Sequence, residues 1–194
     1  VQQLIDASIG SNTQQDALEL LNEVAHGPHY LPALLALLPR QKAPPQVAIT
    51  LLFIKQSIED ARPADVTSVI AALVPYIASP EPSIARCSAT VVSDIFASAS
   101  LDAQRYVLET ILRSLQTGAP AVATAYTSFF SRLVEEHLRE INPAAFALVQ
   151  SILGVLVQTF PTAPPAVQCM VVTTVSNMLD TPPSFLHEMN APLV

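Results

Sequence analysis

The sequence predicts an all-α protein built from repeated helical hairpins, and two observations support this prediction. One is a proline that recurs ahead of an apolar stretch at intervals of 37, 38 and 45 residues, a spacing typical of two-helix repeats. The other is composition: 51% of the 194 residues are apolar, only 6% are aromatic and Trp is absent, which suits closely packed helices with small aliphatic side chains. We therefore expect a HEAT- or armadillo-type α-α superhelix (a solenoid) of about four to five hairpins. The recurring prolines are Pro45, Pro82, Pro120 and Pro165.

Each recurring proline begins a predicted helix with the same apolar register. Positions 2, 9 and 13 after the proline lie close together on a helix at 100° per residue, so they form one buried stripe. Proline suits this place because its missing N–H would have no intrahelical partner in the first turn. The stripe consists of Val47, Ile54 and Ile58; Ile84, Val91 and Ile95; Val122, Phe129 and Leu133; and Val167, Thr174 and Met178, of which only Thr174 is polar.

A second amphipathic stretch precedes each of these helices and completes a hairpin. Asn142 is predicted to cap the last of these stretches, with Pro143 in the next position, and Gly118 is predicted to end the third. A further helix is expected after Ser11, where the sequence SNTQ has capping-box spacing. The four stretches run over residues 30–38, 63–78, 102–116 and 143–160.

The hairpins divide the chain into units of a single solenoid domain. One hairpin cannot bury its apolar stripe alone, whereas stacked hairpins form a continuous core between two layers of helices. The high apolar content fits a fragment whose end units pack against neighbouring repeats. The last stretch, TPPSFLHEMNAPLV, is expected to begin another unit. The approximate units are 1–27, 28–61, 62–100, 101–141, 142–180 and the start of a further unit at 181–194.

Charge and hydropathy argue against several function classes. The net charge is −7 and the nine Lys and Arg residues are scattered, whereas a nucleic-acid interface needs clustered basic residues. The longest uninterrupted apolar runs are far shorter than the roughly 20 residues that span a bilayer, so we expect no membrane insertion. No signal peptide is visible in this segment. Two cysteines, Cys87 and Cys169, are predicted to be core residues in a reducing compartment, too far apart for a disulfide.

No motif for catalysis or metal binding is found. The four glycines are isolated, so contiguous residues cannot build a phosphate-binding loop or a nucleophile elbow. His26 and His29 in HGPH could place two imidazoles near a metal, but no further Cys or His lies nearby in the sequence, and an exposed turn is the better interpretation. We therefore expect neither an enzyme nor a cofactor.

One charged cluster stands out in a chain with only 13% charged residues. In LVEEHLREI, from Leu133, acidic and basic residues alternate near a helix end. The ordinary interpretation is a solvated helix face, and the functional alternative is a contact for a basic partner.

The stretch from Gln2 to Ala61 resembles the amino-terminal domain of the importin-β (karyopherin-β) nuclear transport receptors. The resemblance lies in LIDASIGSNTQQDALELLNEVAHGPHYLPALLALLPRQKAPPQVAITLLFIKQSI, where residues 17–21, 30–38 and 47–58 occupy the places of that family's first three helices. The later stretch SPEPSIARCSATVVSDIF is similar to the HEAT units that follow in importins and transportins, so the resemblance spans nearly the whole chain.

The resemblance implies a monomeric receptor that shuttles between cytoplasm and nucleus and acts by binding alone. It implies three partners: the small GTPase Ran in its GTP form, protein cargo held inside the superhelix, and the Phe-Gly repeats of nucleoporins. In that family the Ran-GTP surface lies largely on the inner layer of second helices, which here are the helices that begin at the recurring prolines. The polar residues expected to contact Ran or cargo are Lys55, Glu59, Asp60, Asp94, Arg132, Glu135 and Glu136.

A static HEAT scaffold is the alternative function. Such a protein would hold together the subunits of an enzyme complex or a membrane coat, and its sequence could look the same. Selective retention of GTP-bound Ran would distinguish a transport receptor from a scaffold.

Overall fold

The computed structural model describes residues 1–9, 29–58 and 63–180. All regular structure in these ranges is α-helix or 3-10 helix, and no strand occurs in them, which confirms the all-α prediction. The chain divides into two compact units, Val1–Ile95 and Phe96–Val194. The predicted capping box after Ser11, His26 of the HGPH turn and the predicted unit at 181–194 lie outside the described residues.

The first unit is built around helices that pack on their near neighbours in the chain. Helix α2 packs against α3 and α4, and α1 packs against α3. Two 3-10 turns, Leu38–Arg40 and Val74–Ala78, follow α2 and α4. The bounds are α1 Gln2–Ile9, α2 Tyr30–Leu37, α3 Pro44–Ser57, α4 Pro63–Leu73 and α5 Pro82–Phe96.

The core of the first unit is mainly aliphatic. Leu34 of α2 and Leu51 and Ile54 of α3 have no exposed surface, and burial of each stabilises the fold by about 1.5–3 kcal/mol relative to an exposed side chain. The rings of Tyr30 and Phe53 meet edge to face with their centroids 6.4 Å apart. Small aliphatic side chains thus supply most of this core, as the composition predicts.

The described part of the second unit consists of two helical hairpins packed side by side. Helix α6 packs against α7 and α8, and α7 packs against α9. The first helices of the two hairpins therefore lie together, and so do the second helices. Val107, Ile111, Phe130, Leu133 and Ile152 are fully buried in this unit. The bounds are α6 Leu101–Thr117, α7 Pro120–His137, α8 Phe146–Thr159 and α9 Pro165–Asp180.

The recurring prolines occupy the first turn of their helices, as predicted. Pro82, Pro120 and Pro165 are the first residues of α5, α7 and α9, and α3 begins one residue before Pro45. The predicted apolar stripe is buried at nine of its twelve positions, Thr174 included. The three half-buried exceptions are Ile58, Val122 and Met178.

Buried threonines find their hydrogen-bond acceptors within their own helices. The hydroxyl of Thr174 donates to the carbonyl of Met170 at 2.7 Å, and those of Thr50 and Thr127 donate to the carbonyls of Gln46 and Ala123, each at 2.8 Å. These side chains are therefore buried without an unpaired hydroxyl, which explains how a threonine takes an apolar position of the stripe.

The ends of the first helices differ in detail from the predictions. Residues 74–78 and 143–145 are 3-10 turns rather than α-helix. Pro75 lies inside the predicted stretch 63–78, where its missing N–H removes an α-helical hydrogen bond. Asn142 is a cap, but of the 3-10 turn: its Oδ1 accepts from the N–H of Ala144 at 3.0 Å. Gly118 does end α6, with extended backbone (φ −75°, ψ 155°). A side chain there would overlap the carbonyl oxygen of Ser114.

The prediction that both cysteines are core residues is wrong for Cys169, which is exposed, while Cys87 is half-buried. Cys169 stands four residues after Pro165, outside the buried stripe that contains Val167, Val171 and Thr174. Both thiols are free.

Helix α8 belongs to a strongly apolar segment. The segment Pro143–Thr162 is long and apolar enough to cross a membrane by length and composition, with a mean hydropathy of 1.6, although core helices of soluble proteins pass the same test. The sequence prediction of no membrane insertion rested on uninterrupted runs, and Gln150 and Gln158 interrupt this one. In the 18-residue window that meets this criterion, 28% of the residues are buried. The absence of membrane insertion stays a prediction.

Replacing Ser88 with alanine is expected to stabilise the protein. Ser88 lies on α5 with no exposed surface, and its hydroxyl has no hydrogen-bond partner among the residues that the structure describes. A buried, unpaired hydroxyl costs about 1–3 kcal/mol, so Ser88→Ala should raise the free energy of unfolding by about 1 kcal/mol in urea denaturation. Ser93→Ala on the same helix is the control, because Ser93 is equally buried but has a partner. Equal effects of the two substitutions would contradict this account.

The protein is expected to lose stability at alkaline pH. Burial raises the pKa of Tyr30 to about 12, and it also raises the pKa values of Tyr76 and Tyr126. These phenols stay neutral in the folded chain but ionise near pH 10 when unfolded, so their contribution is intact below pH 10 and is lost as the pH rises towards 12. Circular dichroism and the phenolate absorbance at 295 nm should change together. Tyr30→Phe should reduce the loss, and an unchanged alkaline profile in that variant would contradict the assignment.

Candidate protein-binding groove

An acidic groove lies between the carboxyl-terminal ends of α7 and α9, within the second unit. Its volume is about 370 Å³. The last turn of α7 and the turn that follows it form one wall, and the last turn of α9 forms the other. The lining residues are Val134, Glu135, Glu136, Leu138, Arg139, Glu140, Asn177 and Asp180. We call this the acidic groove.

Buried contacts fix the turn that forms one wall. Leu138 and Ile141 are buried on either side of the exposed Arg139 and Glu140, so they anchor the turn while its charged residues face solvent. The side chain of Gln104, itself buried, donates to the carbonyl of Glu140 at 3.3 Å. The backbone of Glu140 is therefore held by α6 rather than left as a free loop.

Gln104 joins three segments of the second unit. Its Nε2 also donates to the carbonyl of Phe96 at 3.2 Å, and its Oε1 accepts from the N–H of Asn142 at 2.9 Å. All of these backbone groups would lose a partner without it. A buried amide with a full set of partners is costly to remove, so Gln104 is a positioning residue for the groove.

The groove has an excess of negative charge. Among the described residues, four carboxylates line it, from Glu135, Glu136, Glu140 and Asp180, against one cation, Arg139. Two helices also end there, and the free carbonyls of a helix end carry partial negative charge. Its electrostatic field therefore favours a cationic group.

The carboxylates differ in their partners. Glu136 accepts from Nε of Arg132 at 2.9 and 3.0 Å, so its charge is partly offset. His137 lies with Nε2 3.8 Å from Glu136 and Nδ1 3.7 Å from Glu140, so it would pair with both when protonated. Glu135 and Asp180 form no ion pair with any residue that the structure describes. These two carboxylates are the ones most available to a ligand.

The groove combines charged and apolar surface. Within the described ranges, no group of three or more His, Cys, Asp or Glu side chains is placed to hold a metal ion. The buried side chains of Val134 and Leu138 give the acidic groove an apolar floor. A lysine or arginine could place its aliphatic stem on that floor and its charge among the carboxylates.

The structure brings three of the predicted contact residues together. Glu135 and Glu136 line the acidic groove, and Arg132 pairs with Glu136 beside it. Sequence reasoning missed Asn177 and Asp180. The proline register could have found Asn177, because it stands twelve residues after Pro165, as Arg132 does after Pro120.

Two other predicted contact residues form a separate pair in the first unit. Lys55 Nζ lies 3.7 Å from Asp94 Oδ2, and both side chains are about half exposed. Burial raises the pKa of the nearby Cys87 thiol, and the Lys55 ammonium opposes this shift. An exposed pair of this kind stabilises little and remains open to a partner. The predicted residues Glu59 and Asp60 lie outside the described part of the chain.

No family model matches the chain, and no curated protein matches it either.

Proposed function

We propose that the hairpins form a HEAT-type α-α superhelix. The packing within the second unit supports this proposal: α6 lies on α8 and α7 lies on α9, which is the two-layer arrangement of stacked hairpins. The recurring prolines begin α3 and α5 of the first unit in the same sequence register as α7 and α9. Each hairpin would bury its apolar stripe against the next, and the second helices would form the inner layer.

We propose further that the chain binds proteins through this inner layer, with the acidic groove as a contact for a basic partner. One observation carries the proposal: Glu135 and Asp180, whose carboxylates form no ion pair with the described residues, both line the acidic groove at the ends of the adjacent second helices α7 and α9. Binding of a lysine- or arginine-bearing partner would be steered by charge and would weaken as salt screens the field.

The specific receptor that we propose is a nuclear transport receptor of the importin-β type. The resemblance of residues 2–61 and the HEAT-like spacing of the later units support it. On this proposal the chain binds Ran-GTP, protein cargo and nucleoporin Phe-Gly repeats, and it moves between cytoplasm and nucleus.

Release of cargo would follow from coupling between two binding events. Shifting a two-state population from 1:99 to 99:1 takes about 5.5 kcal/mol of differential affinity, which Ran-GTP would supply by preferring one curvature of the superhelix. Repeats that touch only their neighbours can change curvature through small adjustments at each contact.

Retention of Ran tests this function directly. The immobilised chain is expected to retain Ran loaded with GTP and not Ran loaded with GDP. Equal or absent retention of the two forms would contradict the transport proposal and favour the HEAT scaffold. Repeating the retention assay with a mixture of both Ran forms at several salt concentrations would measure the preference for the GTP form. The decrease with salt would show how much of the binding is electrostatic.

Reversal of charge at Glu135 is expected to weaken binding of GTP-bound Ran by about tenfold. It removes from the acidic groove a carboxylate that has no ion-pair partner in the described part of the chain, and it places a positive charge where a basic partner would bind. The helicity measured by circular dichroism should not change, since Glu135 is exposed. Glu109→Lys is the matched control: it makes the same change at an exposed position of α6 outside the groove. Equal losses in Glu135→Lys and Glu109→Lys would exclude the groove as the contact. Loss of helicity in Glu135→Lys,Glu136→Lys would mean that the cluster is structural.

A further inference from the structure

His137 stands between two carboxylates of the acidic groove. It is the last residue of α7, and its imidazole Nε2 lies 3.8 Å from Oε2 of Glu136 while its Nδ1 lies 3.7 Å from Oε2 of Glu140. Both carboxylates line the acidic groove. A neutral imidazole has one N–H and one lone pair, so it presents a donor to only one of them, whereas a protonated imidazole presents a donor to each. The arrangement therefore suits the charged form of the ring.

The packing of the second unit holds this cluster together. The side chain of His137 is only 18% exposed, and its ring lies against the ring of Phe96 with the centroids 6.4 Å apart. The buried amide of Gln104 donates to the carbonyls of both Phe96 and Glu140. One side chain thus fixes the backbone of the residue that contacts the imidazole and the backbone of one of its carboxylate partners. The cluster is therefore placed by the fold and not by the attraction between its charges alone.

Three further charged residues surround the cluster. On α7, Arg132 donates to Glu136 and so weakens the attraction of that carboxylate for a proton on the imidazole. Arg139 lies in the turn after α7, and Asp180 lies at the end of α9 on the opposite wall. No acidic side chain of α6 or α9 forms an ion pair with the imidazole within the described ranges. The side chains of α5 and α6 that contact the cluster, Phe96 and Gln104, are uncharged.

We propose that His137 makes the acidic groove sensitive to pH, so that the groove binds a cationic side chain less tightly when the imidazole is protonated. The imidazolium would pair with Glu136 and Glu140 and add one positive charge beside the carboxylates that a basic partner uses. This inference rests on the proposed function of the acidic groove as a contact for a basic partner, and it does not depend on the identity of that partner.

Binding of a cation is expected to be strongest above about pH 7 and to weaken towards pH 5. Histidine changes its charge in this range, whereas carboxyl groups ordinarily titrate at about pH 4 and guanidinium groups stay charged. One additional positive charge beside a bound cation at a protein surface should lower its affinity by about fivefold. By the same coupling, a bound cation should shift the titration of His137 to lower pH.

Binding of an end-blocked hexa-arginine peptide to the full chain tests the inference, because the peptide has no group that titrates between pH 5.5 and 7.5. At constant ionic strength, the affinity of the wild-type chain should be about fivefold lower at pH 5.5 than at pH 7.5. His137→Gln should lose most of this difference. His29→Gln is the matched control and should keep it, since His29 is exposed in the first unit. An affinity independent of pH in the wild-type chain, or an undiminished difference in His137→Gln, would overturn the inference.

The variant Glu135→Lys separates this inference from the proposed function. It should weaken binding of the peptide at pH 7.5 if the acidic groove is the binding site. If Glu135→Lys binds as well as the wild-type chain, the acidic groove is not the site and the inference falls with it. If Glu135→Lys binds less well but binding by the wild-type chain does not depend on pH, the groove stands and only the role of His137 is refuted.

Nuclear magnetic resonance gives a test that requires no variant of His137. In the wild-type chain, the resonance of the Cε1 proton of His137 should titrate at lower pH with saturating hexa-arginine than without it. The corresponding resonance of His29 should titrate at the same pH in both samples. An unchanged titration of His137 in the presence of the bound peptide would overturn the inference.

Discussion

Phe130→Ala is expected to lower the free energy of unfolding of the second unit by about 3–5 kcal/mol. The ring of Phe130 lies on α7 with no exposed surface, one helical turn before Val134, which lines the acidic groove between α7 and α9. Its removal loses the transfer free energy of an aromatic side chain and leaves a cavity between the hairpins. Urea denaturation followed by circular dichroism measures the loss.

Tyr106→Ala is the control for this substitution. Tyr106 is an aromatic residue of the same unit, but 41% of its surface is exposed, so its removal should cost much less. Because the chain has two compact units, a separate transition of the first unit should keep its midpoint in Phe130→Ala. A loss below about 1 kcal/mol would contradict the importance of this hairpin contact.

Gln104→Leu is expected to cost about 2–4 kcal/mol, which is unusually large for the loss of a polar side chain. Leucine has a similar volume but leaves the carbonyls of Phe96 and Glu140 and the N–H of Asn142 without their side-chain partner. The same change should weaken the binding of a basic partner, since Gln104 holds the turn that carries Arg139 and Glu140.

Gln168→Leu is the matched control. The Nε2 of Gln168 makes one hydrogen bond, to the carbonyl of Phe160 at 2.9 Å, and its side chain is only half-buried. Its loss should cost about 1 kcal/mol and leave partner binding unchanged. Equal losses of stability in the two glutamine variants would contradict the conclusion that Gln104 holds three segments of the second unit together.

The helices were predictable because their causes are local. Proline in the first turn and an apolar stripe at offsets 2, 9 and 13 place α3, α5, α7 and α9 to within one residue at their starts. The 3-10 turns were less predictable, since a proline such as Pro75 disrupts hydrogen bonds inside a stretch whose apolar pattern continues.

The candidate groove was only partly predictable because it depends on contacts between helices. Glu135 and Glu136 stood out as a charged cluster in a weakly charged chain. Asn177 and Asp180 become candidates only because α9 places them beside that cluster. The role of Gln104 could not be predicted, because its partners are backbone groups 36 and 38 residues away that no side-chain pattern reveals.

The buried threonines have a mechanical consequence. A hydroxyl that bonds to its own helix, as in Thr50, Thr127 and Thr174, makes no directional demand on the neighbouring helix. Adjacent helices can then slide past these positions by fractions of an ångström without breaking a hydrogen bond, whereas Gln104 fixes three segments at once. We therefore expect the contacts of the threonine-bearing helices to deform more easily than the contacts among the three segments that Gln104 joins.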